Sequence, residues 1–153
     1  MLMGVCKMVT IQKAEYADVK TVTCLAQQLW PHHETAELHA EFDVLLQNAD
    51  VAVFLAFHDT SPVGFAQCQL RHDYVEGTDS SPVGYLEGIF VLPECRKHGI
   101  ARLLLGFCQQ WAKEKGCTEF ASDCELTNTG SLAFHLKMGF EEANRVICFT
   151  KKL

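Results

Sequence analysis

The sequence predicts an α+β fold in which one mixed sheet is flanked by about four helices. Apolar residues follow strand and helix periods in the order β-α-α-β-β-β-α-β-α-β-β. The chain has 153 residues, 48% of them hydrophobic, which is enough for one core, and we expect a single domain over residues 1–153. No apolar run approaches the ~20 residues that cross a bilayer, so we expect no membrane partner.

The first half of the chain begins with a strand-like segment and continues with two amphipathic helices. Asp18 offers an N-cap to the first helix, and Pro31 ends it. Two strands should then form a hairpin, the first of them apolar on both faces, as interior strands are. These elements are expected at residues 5–13, 18–30, 35–48, 51–58 and 63–71.

The second half carries a central strand–helix–strand unit. A polar loop at 76–82 is longer than a hairpin requires and is a candidate functional loop. The strand at 85–92 leads into a helix at 99–115, and the strand at 117–124 should pair with it in parallel through a right-handed crossover. A short helix at 128–138 follows, and Phe140 and residues 146–151 suggest a closing pair of strands.

Charge and cysteine usage narrow the class of partner. The net charge of −6 argues against a nucleic-acid partner and favours a cationic one. The eight cysteines form no CxxC pair and sit mostly in apolar patterns, which predicts neither a disulfide framework nor a metal site. Residues 1–10 contain one lysine and no signal-peptide pattern, so we expect a cytoplasmic protein.

The most informative stretch is the loop between the central strand and its helix, residues 91–101. The strand stops at Pro93, and a cationic segment leads to Gly99, which opens the helix. Because the first N–H groups of a helix lack partners and carry partial positive charge, this loop suits an anion. An ordinary turn with solvated charges is the alternative.

Two ordered motifs resemble a known family. Residues 96–101, R-K-H-G-I-A, resemble the R/Q-x-x-G-x-G/A loop by which GCN5-related N-acetyltransferases bind the pyrophosphate of acyl-coenzyme A. Residues 128–140 resemble the N-x-x-A-x-x-F-Y-x-x-x-G-F pattern of the same family. Segments 29–31, 71–75, 80–83, 86–93 and 120–123 are further similar to aminoglycoside 6′-N-acetyltransferases, so the resemblance spans nearly the whole chain.

The resemblance implies that an acetyl group passes directly from acetyl-coenzyme A to the 6′-amine of aminoglycoside antibiotics, without a metal, and confers resistance. It implies that the pantetheine arm pairs with backbone groups near Ile89 and Val91 on a free strand edge, and that a backbone N–H near Val91 donates to the thioester oxygen. Asn128 would contact the pantetheine or a bridging water, cap the next helix, or do both. The residues implied to hold the pyrophosphate are Arg96, Lys97, His98, Gly99, Ile100 and Ala101.

Two carboxylates are candidates for the acceptor chemistry. An amine with a pKa near ~10.4 is mostly protonated at neutral pH and cannot attack until it loses a proton. Glu87 on the central strand and Asp123 at the end of the next strand are candidates to bind the ammonium and take the proton, directly or through water. Glu87 could instead be an ion-pair partner on the strand face, and Asp123 a helix cap.

Other side chains are candidates for proton return and for substrate contacts. His135 stands where many family members carry the tyrosine that protonates the leaving thiolate, and it could be that acid or a structural helix residue. Cys148 is expected in a buried strand. Trp30 and Tyr74 could pack against sugar rings or anchor core and loop. Residues that could hold further ammonium groups, or form a solvated acidic loop, are Asp73, Glu76 and Asp79.

Two further functions stay open at this point. One is acetylation of another polyamine or of a protein amine. The other is a domain that senses acetyl-coenzyme A without turnover. The resemblance also implies a homodimer, which no sequence feature derives.

Overall fold

The computed structural model describes residues 8–153 and contains one five-stranded sheet in the order β1-β2-β3-β4-β5. The elements are β1 (Val9–Lys13), α1 (Val19–Leu29), α2 (Thr35–Leu45), β2 (Val51–His58), β3 (Ser61–Arg71), β4 (Val83–Val91), α3 (Ile100–Glu114), β5 (Phe120–Ser122) and α4 (Thr129–Lys137). Strands β1 to β4 are antiparallel, and β5 pairs with β4 in parallel across α3. The predicted mixed sheet with four helices is therefore confirmed. None of the helices within residues 8–153 has the length and apolar character that a bilayer crossing requires.

The helices cover both faces of the sheet. On one face, α3 buries Ile100, Leu104 and Cys108 against the inward side chains of β2, β3 and β4. On the other face, α1 and α2 bury Val22 and Phe42, among others, against β2 and β3. The helical spacing of apolar residues in α3 predicts that Leu103 and Phe107 lie on its buried face, but the structure leaves these two side chains 46% and 44% exposed.

Most element boundaries differ from expectation by one to three residues, and the largest differences in length are in the first and last strands of the sheet. Residues 5–7 of the expected first strand lie outside the described residues, and β1 is seen from Val9. The strand expected at 117–124 is confined to β5, because Cys117 folds back and its N–H donates to the Ala112 carbonyl at the end of α3. Asp123 therefore stands just past the strand, where the chain leaves the sheet.

The closing strands expected at Phe140 and at 146–151 are wrong for this chain. Every residue of the C-terminal segment (residues 141–153) is exposed, and none of it is in a strand. A strand needs a row of backbone partners, and after Phe140 this segment does not return along the chain's own sheet. Cys148, expected in a buried strand, is accordingly exposed.

A β-bulge in β4 determines how the sheet presents its side chains. The β3–β4 ladder pairs Gln67 with Gly88 and Cys68 with Leu86, which leaves Glu87 without an opposite residue. One extra residue reverses the alternation of the strand. Leu86 therefore packs towards α3, and after the bulge Gly88 faces α1. Glu87 is the residue at which the alternation of side chains between the two faces reverses.

Candidate active site

The edge of β4 that faces β5 is open over its second half. The parallel pairing with β5 ends at Leu86, whereas β4 continues to Val91. The Leu92 N–H donates to the Val63 carbonyl at 2.8 Å, so it points towards β3. Because backbone groups alternate sides along a strand, Ile89 and Val91 present their N–H and C=O groups to the open edge. The edge can therefore accept an extended ligand as an additional strand.

The loop after β4 leads into α3 through a left-handed turn. Lys97 has a φ of 66° and Gly99 a φ of 80°, which is the conformation glycine adopts without strain. The N–H groups of residues 100–102, in the first turn of α3, make no hydrogen bond within residues 8–153. Unpartnered amides at a helix N-terminus form an anion site.

The cationic side chains of this loop surround that helix terminus. The Arg96 Nε donates to the Val91 carbonyl at 2.9 Å, so Arg96 folds back along the open edge of β4. Lys97 is exposed, and the His98 Nδ1 lies 3.4 Å from the Cys95 carbonyl oxygen. Together they give the loop a positive surface beside the free amides.

Glu87 is paired with Arg71, the last residue of β3. The Arg71 Nη2 donates to both carboxylate oxygens of Glu87, at 2.8 and 3.0 Å, and the Arg71 Nε lies 3.1 Å from one of them. Glu87 therefore does form the ion pair on the strand face that was the alternative interpretation of this residue. The Glu87 side chain stays 21% exposed, so the carboxylate is open to a ligand as well.

Tyr85 connects the two candidate carboxylates. The Arg71 guanidinium carbon lies 3.4 Å from the centre of the Tyr85 ring. Burial, and after it the negative charge of Asp123, raise the pKa of the Tyr85 phenol to about 12. The negative charges of Asp123 and Glu87 therefore both act on this phenol. Asp123 does not cap α4, because the Asn128 side chain does so.

Trp30 lies against β4 beside Glu87. The ring is so close to Gly88 that a Cβ added there would stand 2.7 Å from the Trp30 Cζ2. The same ring packs edge-on against Phe65, with ring centres 6.1 Å apart. Trp30 is only partly buried, so it belongs to the core on the α1 side and also exposes part of its ring next to Gly88, the residue after Glu87.

The acidic loop residues are distributed over two places. Asp73 and Tyr74 line a surface cavity of about 400 Å³ together with Arg71. Glu76 instead accepts a hydrogen bond from the Asn144 side chain at 3.0 Å, and the Asp79 N–H donates to Glu119 at 2.9 Å. Asp73 and Tyr74 therefore share a surface cavity with Arg71. Glu76 is instead bonded to the C-terminal segment, and the backbone of Asp79 is bonded to the residue before β5.

His135 and Asn128 lie on α4, next to the point where β4 and β5 separate. Asn128 caps α4, since its side chain accepts a hydrogen bond from the Ser131 N–H at 3.0 Å. The His135 Nδ1 lies 2.7 Å from the Ser131 carbonyl, so Nδ1 carries the proton, and Nε2 lies 2.8 Å from the Ser122 hydroxyl. The Ser122 hydroxyl also lies 3.3 Å from the Leu86 carbonyl. His135 is thereby linked through one hydroxyl to the end of the β4–β5 pairing.

Sequence reasoning did not identify Arg71, Tyr85 or Ser122 as site residues. Arg71 could have been predicted from the sequence, because it is a cation at the end of a buried strand. Its side chain also lies on the same face of that strand as the side chain of Gln69. Tyr85 lies two residues before Glu87 in an apolar strand, and this position predicts a residue of the hydrophobic core. Nothing in the sequence marks Ser122.

Comparisons with known proteins agree with this architecture. A model described as the acetyltransferase (GNAT) family matches residues 19–140. The chain is 47% identical over 128 residues to an aminoglycoside N(6′)-acetyltransferase type 1 of Salmonella typhimurium, covering 84% of this chain and 88% of that protein. It is 42% identical over 144 residues to a protein of the same name from Acinetobacter baumannii, covering 94% and 96%.

Solved structures give the same result. The aminoglycoside N-acetyltransferase AAC(6′)-Iy in complex with CoA matches with a TM-score of 0.94 at 41% identity, over 99% of this chain and 100% of that one. Its complex with the bisubstrate analog CoA-S-monomethyl-acetylneamine matches with a TM-score of 0.91 at 42% identity, over 95% and 99%. An open strand edge, an anion-binding helix terminus and this similarity over most of its length establish that the chain belongs to the acetyltransferase (GNAT) family.

Proposed function

We propose that this protein transfers the acetyl group of acetyl-coenzyme A to the 6′-amine of aminoglycoside antibiotics and thereby confers resistance to them. The observation that carries the proposal is that an anion site and a cation site meet on β4. The open strand edge runs into the amides of α3, and the carboxylates of Glu87 and Asp123 lie at the start of that edge. The names of the relatives and the bisubstrate complex of AAC(6′)-Iy support the same pair of substrates.

The donor fits the open edge and the loop after it. The pyrophosphate would be held by the backbone N–H groups of residues 97–101, by the charges of Arg96 and Lys97, and by the ring of His98. The pantetheine arm would pair with the outward backbone groups of Ile89 and Val91. The Asn128 side chain keeps a free amide group beside this path while its oxygen caps α4.

The acceptor fits the face of the sheet that bears Glu87. An aminoglycoside carries several ammonium groups, which Glu87 and Asp123 would bind first and Asp73 next, with Glu76 and Asp79 at the rim of the loop. Trp30 and Tyr74 would pack against the sugar rings. Tyr74 is 78% exposed, which fits a residue whose partner is a ligand.

The chemistry is a direct transfer between two bound substrates. Glu87 or Asp123 takes a proton from the ammonium, directly or through a water molecule, and the amine nitrogen then attacks the thioester carbonyl. The N–C bond forms, the Val91 N–H stabilises the developing negative charge on oxygen, and the C–S bond breaks. The amide nitrogen then gives up its second proton, and the sulfur leaves as a thiolate with a pKa of ~8.5. His135, when it holds a proton on both ring nitrogens, would return one to the thiolate.

Thiol release from acetyl-coenzyme A tests the proposal, with kanamycin, spermidine and a lysine peptide as separate acceptors. We expect turnover with kanamycin at a kcat/KM at least tenfold above that with either other acceptor. Preference for spermidine or the peptide would assign a different acceptor. Tight donor binding without thiol release from any of the three would assign a sensor.

Variants of the carboxylates then test the site. Asp123→Asn and Glu87→Gln should raise the kanamycin KM or lower kcat, while the dissociation constant of acetyl-coenzyme A stays within twofold of the wild-type value. Glu114→Gln, on the exposed last turn of α3, is the matched control and should change neither. Equal loss of donor and acceptor binding in Asp123→Asn would assign Asp123 a structural role.

We further propose that the protein is a homodimer whose partner covers the C-terminal segment. Val146, Ile147 and Phe149 of that segment are 68%, 81% and 88% exposed. The outer edge of β5 has no strand beside it within residues 8–153, and unpaired edges recruit strands. A second copy offers both the edge and the segment, so a two-fold exchange would pair each segment with the partner's sheet.

Two matched valines test the dimer. Val44 on α2 and Val146 are both 68% exposed. Val146→Asp should shift the mass measured by light scattering from two chains to one, and Val44→Asp should leave it unchanged. A wild-type protein that elutes as a monomer at micromolar concentration would refute the dimer.

We also propose a cytoplasmic location, since all seven cysteines within residues 8–153 are free thiols.

A further inference from the structure

The Arg71 side chain is held in place by more contacts than an ordinary surface arginine makes. Its guanidinium makes three hydrogen-bond contacts with Glu87 and lies flat over the ring of Tyr85, which is itself 6% exposed. A solvated ion pair leaves both side chains free to move and contributes little. Here a buried ring on one side and a carboxylate on the other fix one position of the guanidinium.

The carboxylate of Glu87 keeps room for a second cation. An ionised carboxylate offers about four acceptor positions, and Arg71 uses three contacts, two of them to the same oxygen. A ligand ammonium that binds Glu87 would therefore share the carboxylate with Arg71, and the two positive groups would be neighbours.

The other charges near this point are few. Tyr85 from β4 is neutral, because burial and the charge of Asp123 raise its pKa to about 12, and Asp123 follows β5. His72, next to Arg71 in sequence, is engaged with Asp50 at 2.9 Å. Asp73 lines the surface cavity beside Arg71. Two carboxylates, those of Glu87 and Asp123, together with Asp73 and one fixed guanidinium thus set the electrostatic environment of a bound amine. A neighbouring positive charge disfavours the charged form of an amine.

We propose that Arg71 is a positioning residue of the acceptor site, which fixes the Glu87 carboxylate on the Tyr85 ring and, by its charge, favours the neutral, nucleophilic form of the amine bound there. The inference rests on the proposed function, because it requires that Glu87 binds the acceptor amine. Without Arg71, the two carboxylates would hold the amine more tightly in its unreactive ammonium form.

The pH dependence of kcat for kanamycin reports the groups of the bound complex, so it distinguishes this role from a merely structural one. In Arg71→Gln we expect kcat at pH 7 to fall at least tenfold and the rise of kcat with pH to move about one unit to higher pH. The acetyl-coenzyme A dissociation constant should stay within twofold. Arg71→Lys keeps the positive charge but loses the planar guanidinium that donates to both oxygens of Glu87. Its pH profile should therefore stay near that of the wild type while kcat falls.

Chemical rescue and controls complete the test. Guanidinium chloride at about 50 mM should restore part of the kcat of Arg71→Ala and none of that of Glu87→Gln, and Lys113→Gln, exposed in the last turn of α3, should match the wild type. Absence of wild-type turnover would refute the proposed function and this role with it. Wild-type turnover with an unshifted pH profile in Arg71→Gln, or equal losses in Arg71→Lys and Arg71→Gln without rescue, would refute the role of Arg71 alone.

Discussion

Replacing Gly88 by alanine should damage the acceptor site through Trp30. A Cβ at this position would lie 2.7 Å from Cζ2 and 2.8 Å from Cη2 of the Trp30 ring, and 3.2 Å from the Leu29 Cδ2. Carbon–carbon contacts normally begin at about 3.5 Å. The ring must therefore retreat by about 0.8 Å, and Phe65 behind it leaves little room.

The expected cost follows from that displacement. Overpacking of this size costs about 1–3 kcal/mol, and loss of the glycine's backbone freedom returns about 0.5–1 kcal/mol, so we expect a net destabilisation of about 1–2 kcal/mol in urea unfolding. Because misplacing a substrate-facing group by about 1 Å can cost up to about a hundredfold, the kanamycin KM should rise about tenfold. The acetyl-coenzyme A dissociation constant should not change, since the open edge of β4 points away from Trp30.

Gly106 provides the matched control. It lies on α3, and a Cβ there meets nothing within 4 Å. Gly106→Ala should therefore stabilise the protein by about 0.5–1 kcal/mol, the opposite sign for the same chemical change. In a Trp30→Ala background, Gly88→Ala should lose its penalty, which gives a coupling of about 1–3 kcal/mol. Equal effects of Gly88→Ala with and without Trp30 would refute the reasoning.

Three further changes test the rest of the site. Gly99→Ala must hold a side chain at a φ of 80°, so acetyl-coenzyme A binding measured by calorimetry should weaken about tenfold. Asn128→Ala removes the cap of α4 and should lower the free energy of unfolding by about 1 kcal/mol. The folded chain holds the Tyr85 proton to about pH 12, whereas an unfolded chain releases it near pH ~10. Folded molecules thus bind more protons between these values, and stability should fall by about 2 kcal/mol as pH rises through them, a loss that Tyr85→Phe should abolish.

The sequence was sufficient for the parts of the fold that local rules decide. The Asn128 cap and the strand–turn–helix around Gly99 follow from side-chain chemistry and backbone conformation within a few residues. The same local reasoning placed Leu103 in the core of α3, where the structure exposes it, because periodicity defines a stripe but not how wide the sheet beneath it is.

Other features depend on partners distant in the chain and could not be read from one segment. The pairing of Arg71 with Glu87 spans 16 residues and requires the register of β3 on β4. The segment 146–151 has the composition of a strand, and this prediction failed because composition does not say whether a free edge of the same chain can be reached. Its strand character is satisfied only if another edge, such as that of a second copy, is available.

The bulge at Glu87 explains how one strand can serve two substrates of opposite charge. Without it, residues 85, 87 and 89 would share a face, and the strand after Leu86 would present its side chains to the wrong helices. With the extra residue, Ile89 packs towards α3, and Gly88 opens room for the Trp30 ring on the opposite face. In the proposed function, the edge of β4 would offer amides to an anionic donor while its face would offer a carboxylate to a cationic acceptor. Because both sites are fixed to one strand, the distance between donor and acceptor is determined by the backbone rather than by mobile side chains, which is the condition that direct transfer between two bound substrates requires.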